Sequence, residues 1–426
     1  MPNNWKTYKL SEIKSIQIID GDRGKNYPSK NEFLENGYCL FLSAKNITKT
    51  GFEFSELSFI SEEKDNLLRK GKLETNDIII TTRGTIGNVG YFKQNFIFKN
   101  VRINSGMVVI RVDEAKISSS YVYQLFKSSV FQEQISSRTS GSAQPQLPIR
   151  DLSLIEINLP ENLQEQQSIA FILSAIDDKI ENNLAINKTL EEMAMALYKH
   201  WFVDFGPFLD GDFVESELGM IPRGWEVKKI GDVIETLGGG TPSTTVKEYW
   251  HEGDIPWYSP TDLTRENCLF SVDTAKKINS LGLLKSSAKM FPANSLLMSS
   301  RATVGLLTIN TKEACTNQGF ITMLPNDQLC IYQLYFWIKQ NMDLIISKCN
   351  GSTFKEISKS NFRDLDIIVA NNIEKYIEES RDIFEQIKNN IKENQTLTQL
   401  RDTLLPQLIS GTVRLKEFRE TVEEVV

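Results

Sequence analysis

Residues 176–190 read IDDKIENNLAINKTL, and residues 383–397 read IFEQIKNNIKENQTL. Written as heptads, the first segment and its flanks place Ile169, Ile176, Asn183, Leu190 and Leu197 at one repeating position, with Leu173, Ile180, Asn187, Ala194 and Trp201 at the other. The second places Tyr376, Ile383, Asn390, Leu397 and Leu404 alongside Ser380, Ile387, Asn394, Arg401 and Leu408. An apolar period of about 3.5 residues sustained over this length predicts two long helices joined in a coiled coil. Both helices put asparagines where the pattern asks for hydrophobes. A buried amide is tolerated only with a partner, so Asn183, Asn187, Asn390 and Asn394 are expected to fix the register of the pair and to penalise slipped alignments. If the helices run antiparallel about a pseudo-twofold axis, Asn183 and Asn390 are the partners to test.

The helices belong to a longer repetition. Trp5 and Ile13 match Trp225 and Val233 at an offset of 220, RGTIG at 83–87 matches RATVG at 301–305 at 218, and NSG at 104–106 matches NQG at 317–319 at 213. SGS at 140–142 matches NGS at 350–352 at 210, and the helices follow at 207. Matches in one order with a smoothly shrinking offset indicate a tandem duplication. Short β-rich runs (DIIITT, GMVVIRV, LSLIEINLP; SLLMSS, GFITML, LDIIVA) lie between Gly, Asn, Pro and Ser clusters. One helical stretch per half, SYVYQLFKSSVFQEQI and IYQLYFWIKQNMDLII, completes an α+β class. The expected division is two globular α+β domains, 1–162 and 218–372, each followed by a helical segment, 163–217 and 373–426.

The formal net charge is −7, which discourages a nucleic-acid reading until it is apportioned. Residues 163–217 carry 3 Lys/Arg against 11 Asp/Glu and residues 373–426 carry 8 against 11, so the acidity resides in the helical segments. The expected domains carry 21 against 18 and 16 against 15, leaving room for local anion-binding faces on a surface that is otherwise merely solvated. Five separate cysteines form no C-x-x-C pair, so neither a zinc site nor a disulfide framework is suggested and a cytoplasmic location is expected. The N-terminus has no apolar signal region, and no apolar run approaches the ~20 residues of a membrane span.

Signs of chemistry are sparse. His200 and His251 lack metal-ligand spacing, no Walker or G-x-G-x-x-G loop is present, and neither an N-P-P-Y nor a P-D…E-x-K pattern occurs. No catalytic residue, metal or cofactor is therefore expected in this chain. A protein-binding scaffold that never touches nucleic acid is a competing class favoured by the net acidity. A self-contained DNA methyltransferase is another, disfavoured by the missing motifs.

The chain resembles the specificity subunit of type I restriction-modification enzymes over essentially its whole length. The resemblance rests on GW with I-x-D-V at 224–233, GGGTPST at 238–244, YW at 249–250, IPWYSPTDL at 255–263, NGSTFKEISKSNFRDL at 350–365, ALYKHWFVDFGPF at 196–208 and LRDTLLPQLISGTVRL at 400–415. It implies two target-recognition domains, each reading half of a bipartite site in double-stranded DNA, spaced by helices that bind two methylase subunits. A restriction nuclease-translocase subunit would join for cleavage. S-adenosylmethionine, ATP and magnesium would belong to those partners only. The first half departs from the pattern, with IIDGDRGKNYPS at 18–29 where the second has TLGGGTPST.

Phosphates are met by Lys, Arg, Ser, Thr and main-chain amides, and base edges by Arg, Lys, Asn and Gln. The loop candidates for DNA contact are Arg23, Lys25, Lys45, Arg83, Thr85, Ser142 and Gln144 in the first half. In the second they are Thr241, Ser243, Lys247, Tyr258, Arg301, Thr303, Ser352 and Lys355. Arg83 and Arg301, identical in both halves, are unsuited to specifying different bases and are expected to hold a phosphate or a structural salt bridge. Glycines 238–240 make a turn or approach DNA, and WFVDFGPF at 201–208 forms core or a partner surface.

Overall fold

The computed structural model describes residues 4–49, 51–141, 145–266, 268–301, 303–351 and 355–413. The predicted helices run over Leu163–Phe202 and Glu374–Ser410. Asn162 caps the first, its side chain accepting from the Gln164 amide at 2.8 Å. The second continues past Pro406, which removes one backbone donor, and burial of Leu404, Leu405, Leu408 and Ile409 anchors its last turns.

Among the described residues the chain forms two compact units, one running to Ile180 and resuming at Thr396, the other spanning Glu181–Gln395. Each long helix therefore gives part of its length to each unit. The boundaries expected at 162/163 and 372/373 fall where strand gives way to helix, while the compact units divide the helices in mid-length. The boundary expected at 217/218 falls in the turn of a hairpin formed by Phe213–Ser216 and Gly219–Pro222.

Inside the second unit the helices pair antiparallel through the asparagines. Asn183 Nδ2 donates to Asn394 Oδ1 and to Glu393 Oε2, each at 2.8 Å, and Asn390 Nδ2 donates to Asn187 Oδ1 at 2.8 Å. The partner of Asn183 is thus Asn394, one turn away from the Asn390 that simple symmetry suggested. Inside the first unit the polar heptad residue Arg401 meets Asp177 at 3.1 Å, and Asp177 also accepts from Lys127 at 2.6 Å and Gln124 at 2.9 Å. Burial alone would push the Asp177 carboxyl up, but the neighbouring Lys127 and the hydrogen bonds from Lys127, Gln124 and Arg401 hold it below its ordinary value.

The main sheets of the two units follow the same order. In the first, Ile16–Asp20, Met107–Val112, Ile78–Thr81 and Val89–Tyr91 lie side by side, all antiparallel. Thr236–Gly238, Phe320–Met323, Leu296–Ser299 and Leu307–Asn310 do the same in the second, with Phe270–Ser271 added in parallel. A smaller sheet contains a parallel pair, Cys39–Leu42 with Val101–Ile103, matched by Ile255–Tyr258 with Cys315–Thr316. A further antiparallel pair joins distant parts of each unit, Trp5–Lys9 on Glu156–Pro160 in the first and Glu226–Lys229 on Asp366–Val369 in the second. The central strands are buried on both faces, so they read as mainly apolar runs without polar alternation.

The helical stretch expected in each half is two helices: Ser119–Lys127 with Ser129–Arg138, and Ile331–Gln340 with Met342–Ser347. Apolar spacing continues across the break and conceals it. The Ser128 hydroxyl makes the first break by accepting from the Phe131 amide at 3.3 Å, which caps the following helix.

Candidate nucleic-acid interface

A glycine and an asparagine organise the loops at the equivalent corner of each unit. A side chain at Gly21 would put its Cβ 2.2 Å from the Asn104 carbonyl oxygen, and one at Gly239 would put it 2.1 Å from that of Asn317. Only glycine admits this approach. The loop 18–29, which departs from the second half in sequence, thus holds the same close backbone contact. Gly240 is crowded too, its Cβ position lying 2.3 Å from Ser287 backbone, so Gly239 and Gly240 are structural, whereas Gly238 faces open space.

The asparagine side chains then brace the next turn, Asn104 Oδ1 accepting from the Gly106 amide at 2.9 Å and Asn317 Oδ1 from the Gly319 amide at 2.8 Å. The carbonyl of Gly106 accepts from Thr82 N at 2.8 Å, and that of Gly319 from Ser300 N at 2.7 Å. These bonds seat the turns RGTIG and RATVG. Each turn is closed by a glycine at positive φ, Gly87 at 87° and Gly305 at 94°. Leu147 N donates to Thr82 O at 2.9 Å and Ile357 N to Ser300 O at 3.1 Å, bringing in the last loop of each unit. Backbone bridges pair Arg83 with Gln146 and Arg301 with Glu356.

In the first unit this network collects most of the expected residues. Arg23 is exposed and donates to Asp20 at 3.1 Å and to the Ser105 carbonyl at 3.2 Å. Thr85 Oγ1 donates to the Ala44 carbonyl at 3.0 Å, next to Lys45, whose ammonium pairs with Glu56 at 3.0 Å. Arg83 and Lys25 are exposed and have no ion-pair partner among the described residues. Lys49 and Asn88 were missed; with Lys45 and Thr85 they line a shallow depression, and Asn88 is fixed by its bond to the Ile47 carbonyl at 2.8 Å. Ser142 and Gln144 lie outside the described residues.

In the second unit Thr241 donates to Gln318 at 2.6 Å and Arg301 pairs with Glu356 at 2.7 Å. Thr303 is exposed at the turn, its carbonyl accepting from Ser299 Oγ at 2.5 Å, and Lys355 is exposed beside Glu356. Ser243 and Lys247 are exposed farther along their loop, where Ser243 O accepts from Trp250 Nε1 at 3.2 Å. Ser352 lies outside the described residues. Tyr258 requires a correction: it is the last residue of a strand, 2% exposed, with its hydroxyl donating to the Ser271 carbonyl. It stands where the first unit has Leu42, since both precede the backbone bond to the loop asparagine, Asn104 N to Leu42 O and Asn317 N to Tyr258 O, each 2.9 Å. Its ring is core and cannot meet a ligand. Trp201 and Phe202 of WFVDFGPF are likewise buried, packed with Trp225 and Tyr376.

Gln318, Gln146 and Glu356 escaped the sequence reading because each acquires its place only through a contact with a distant loop. Among the described residues no cluster of His, Cys, Asp and Glu could hold a metal, and no helix is long and apolar enough to cross a membrane.

The same duplicated corner has a counterpart at the level of families: the model of the type I restriction modification DNA specificity domain matches residues 2–192 and again 222–401. The chain belongs to this family. One match falls on each repeat. The HindI specificity subunit of Haemophilus influenzae is 26% identical over 96% of this chain and 100% of its own length. The MjaIX specificity subunit of Methanocaldococcus jannaschii is 28% identical over 98% of this chain and 95% of its own. The crystal structure of a type I restriction-modification S subunit from M. genitalium aligns at TM-score 0.60 with 16% identity, covering 96% of this chain and 97% of that one. At that identity the likeness speaks for the fold alone. In this chain, the repeated course of the backbone carries loops whose side chains differ between the halves.

Proposed function

We propose that this chain is the non-catalytic DNA-reading subunit of a type I restriction-modification assembly. Each unit would read one half of a bipartite site, and the long helices would dock methylase subunits and set the spacing. The observation that carries the reading is the duplicated corner: one backbone network presents Arg23, Lys45, Arg83 and Thr85 in the first unit, and Thr241, Arg301, Thr303 and Lys355 in the second. An identical frame with unlike side chains suits two sites that meet the same kind of ligand but different sequences of it. Backbone amides, hydroxyls and cations would position the duplex, and the remaining loop side chains would read base edges. Family membership and the two specificity-subunit relatives support this reading.

Methylation and cleavage would be supplied by partner subunits, together with S-adenosylmethionine, ATP and magnesium. With S-adenosylmethionine but no methylase, the purified chain is expected to leave DNA unmodified; modification by the chain alone would contradict the non-catalytic assignment. With a methylase subunit present, duplex affinity is expected to fall steeply with salt, because each neutralised phosphate releases counterions. Anisotropy titrations between low and physiological salt measure this, and an affinity flat across that range would contradict a DNA-reading role.

A further inference from the structure

Arg83 and Arg301 occupy the same place in their units, yet their electrostatic settings differ. Arg301 Nε lies 2.7 Å from Glu356 Oε1, and both side chains are about half exposed. The residue bridged to Arg83 is Gln146, which is neutral. A phosphate approaching Arg301 therefore meets a cation and a carboxylate together, whose fields largely cancel at distances beyond their separation. A phosphate approaching Arg83 meets an uncompensated guanidinium with several donors to offer. The second unit recovers the charge one residue earlier. Lys355 is exposed, lacks an ion-pair partner among the described residues, and stands where the first unit has Pro145.

We infer that the phosphate contact at this corner is made by Arg83 in the first unit and by Lys355 in the second, while Arg301 is a positioning residue held by Glu356. Arg301 and Glu356 would fasten the turn to the final loop, and Gln146 would leave Arg83 free for the ligand. The inference rests on the DNA-reading role proposed above and assigns individual residues within it. It also separates two arginines that hold matching positions in RGTIG and RATVG.

The test is the salt dependence of affinity for a mixed-sequence duplex, measured on the full chain with its methylase subunit. Arg83→Ala and Lys355→Ala are each expected to lower the slope of log affinity against log salt by about one, the amount released by one phosphate contact. Arg301→Ala is expected to leave the slope unchanged. Glu356→Gln keeps the backbone bridge and the side-chain shape, and is expected to raise the slope by about one by releasing Arg301. Gln146→Glu is expected to lower it by about one, reproducing the second unit's arrangement in the first. Equal loss of slope in Arg83→Ala and Arg301→Ala, or no effect of both Glu/Gln exchanges, would overturn the inference while leaving DNA binding intact. A wild-type chain whose affinity ignores salt would instead overturn the DNA-reading role, and the inference with it.

Discussion

Asp65→Ala is expected to destabilise the first unit by about 3–5 kcal/mol, the cost of leaving a buried charge without its partner. Asp65 is 1% exposed and Arg102 is 5% exposed. Arg102 pairs with the carboxylate through Nε and donates to the main-chain oxygens of Asp65 at 2.8 Å, Leu68 at 3.1 Å and Lys70 at 2.8 Å. Lys72 takes the other carboxylate oxygen at 2.5 Å. Burial would push the Asp65 carboxyl up, but hydrogen bonds and charge from Lys72 and Arg102 hold it below its ordinary value. A carboxyl with a depressed folded pKa contributes in full above its unfolded value of about 3.9, and the contribution is lost as pH falls through the folded value.

The second unit shows that the fold does not need the pair. Where the first has Arg102 it has Cys315, a buried thiol that burial pushes up to about 12 and keeps neutral. Replacing Asp65 and Arg102 together by apolar residues is therefore expected to cost much less than the sum of the single changes. Hydrogen exchange of strands Cys39–Leu42 and Val101–Ile103 reads the effect, with Leu296–Ser299 of the other unit as an internal control. Unchanged protection in the first unit after Asp65→Ala would show that the pair holds nothing together.

Asn183→Leu is expected to cost about 1–3 kcal/mol, because it removes the 2.8 Å bond that Asn394 accepts in the seam. Adding Asn394→Leu should recover much of that loss, giving a coupling of about 0.5–3 kcal/mol. Asn183 is fully buried, whereas Glu393, its second acceptor, is exposed and can turn to water. The coupling therefore belongs chiefly to the amide pair. The double apolar variant would also lose the register signal, and sedimentation should reveal slipped or self-associated forms. Combining Asn183→Leu with Asn390→Leu should be closer to additive, since Asn390 donates to Asn187. Double-mutant cycles by urea unfolding decide it: equal coupling in both combinations would contradict the observed pairing.

The long helices and the duplication were legible because both leave a periodic record, one every heptad and the other once per half. The buried strands were legible as apolar runs. What escaped depends on meetings between distant segments. A heptad shows that Asn183 faces a seam but not which residue lies opposite, and a shift of one turn preserves the pattern. Tyr258, between Pro256 and Pro260, reads as a loop aromatic, yet it ends a strand at the place of Leu42. Gly239 reads as a turn glycine, and only the Asn317 carbonyl at 2.1 Å and the Thr316 oxygens at 2.2 and 2.3 Å from its Cβ position explain it. Glu356 carries no distinguishing signal in NGSTFKEIS, and only the fold brings it to Arg301. The expected DNA-contacting residues were chosen as residue types in loops, and the corner that gathers part of them is a product of tertiary structure.

The central proposal is that the two units read DNA separately and that the chain directs where a methylase acts. Its most direct test exchanges residues 218–372 for the matching domain of another specificity subunit and maps the methylated sites of both proteins with the same methylase. If the repeats read bases separately, as proposed, one half of the recognised sequence should change and the other should persist, with the positions marked set by the chain and not by the methylase. A hybrid that changed both halves, or one that left the methylated sites as they were, would contradict it.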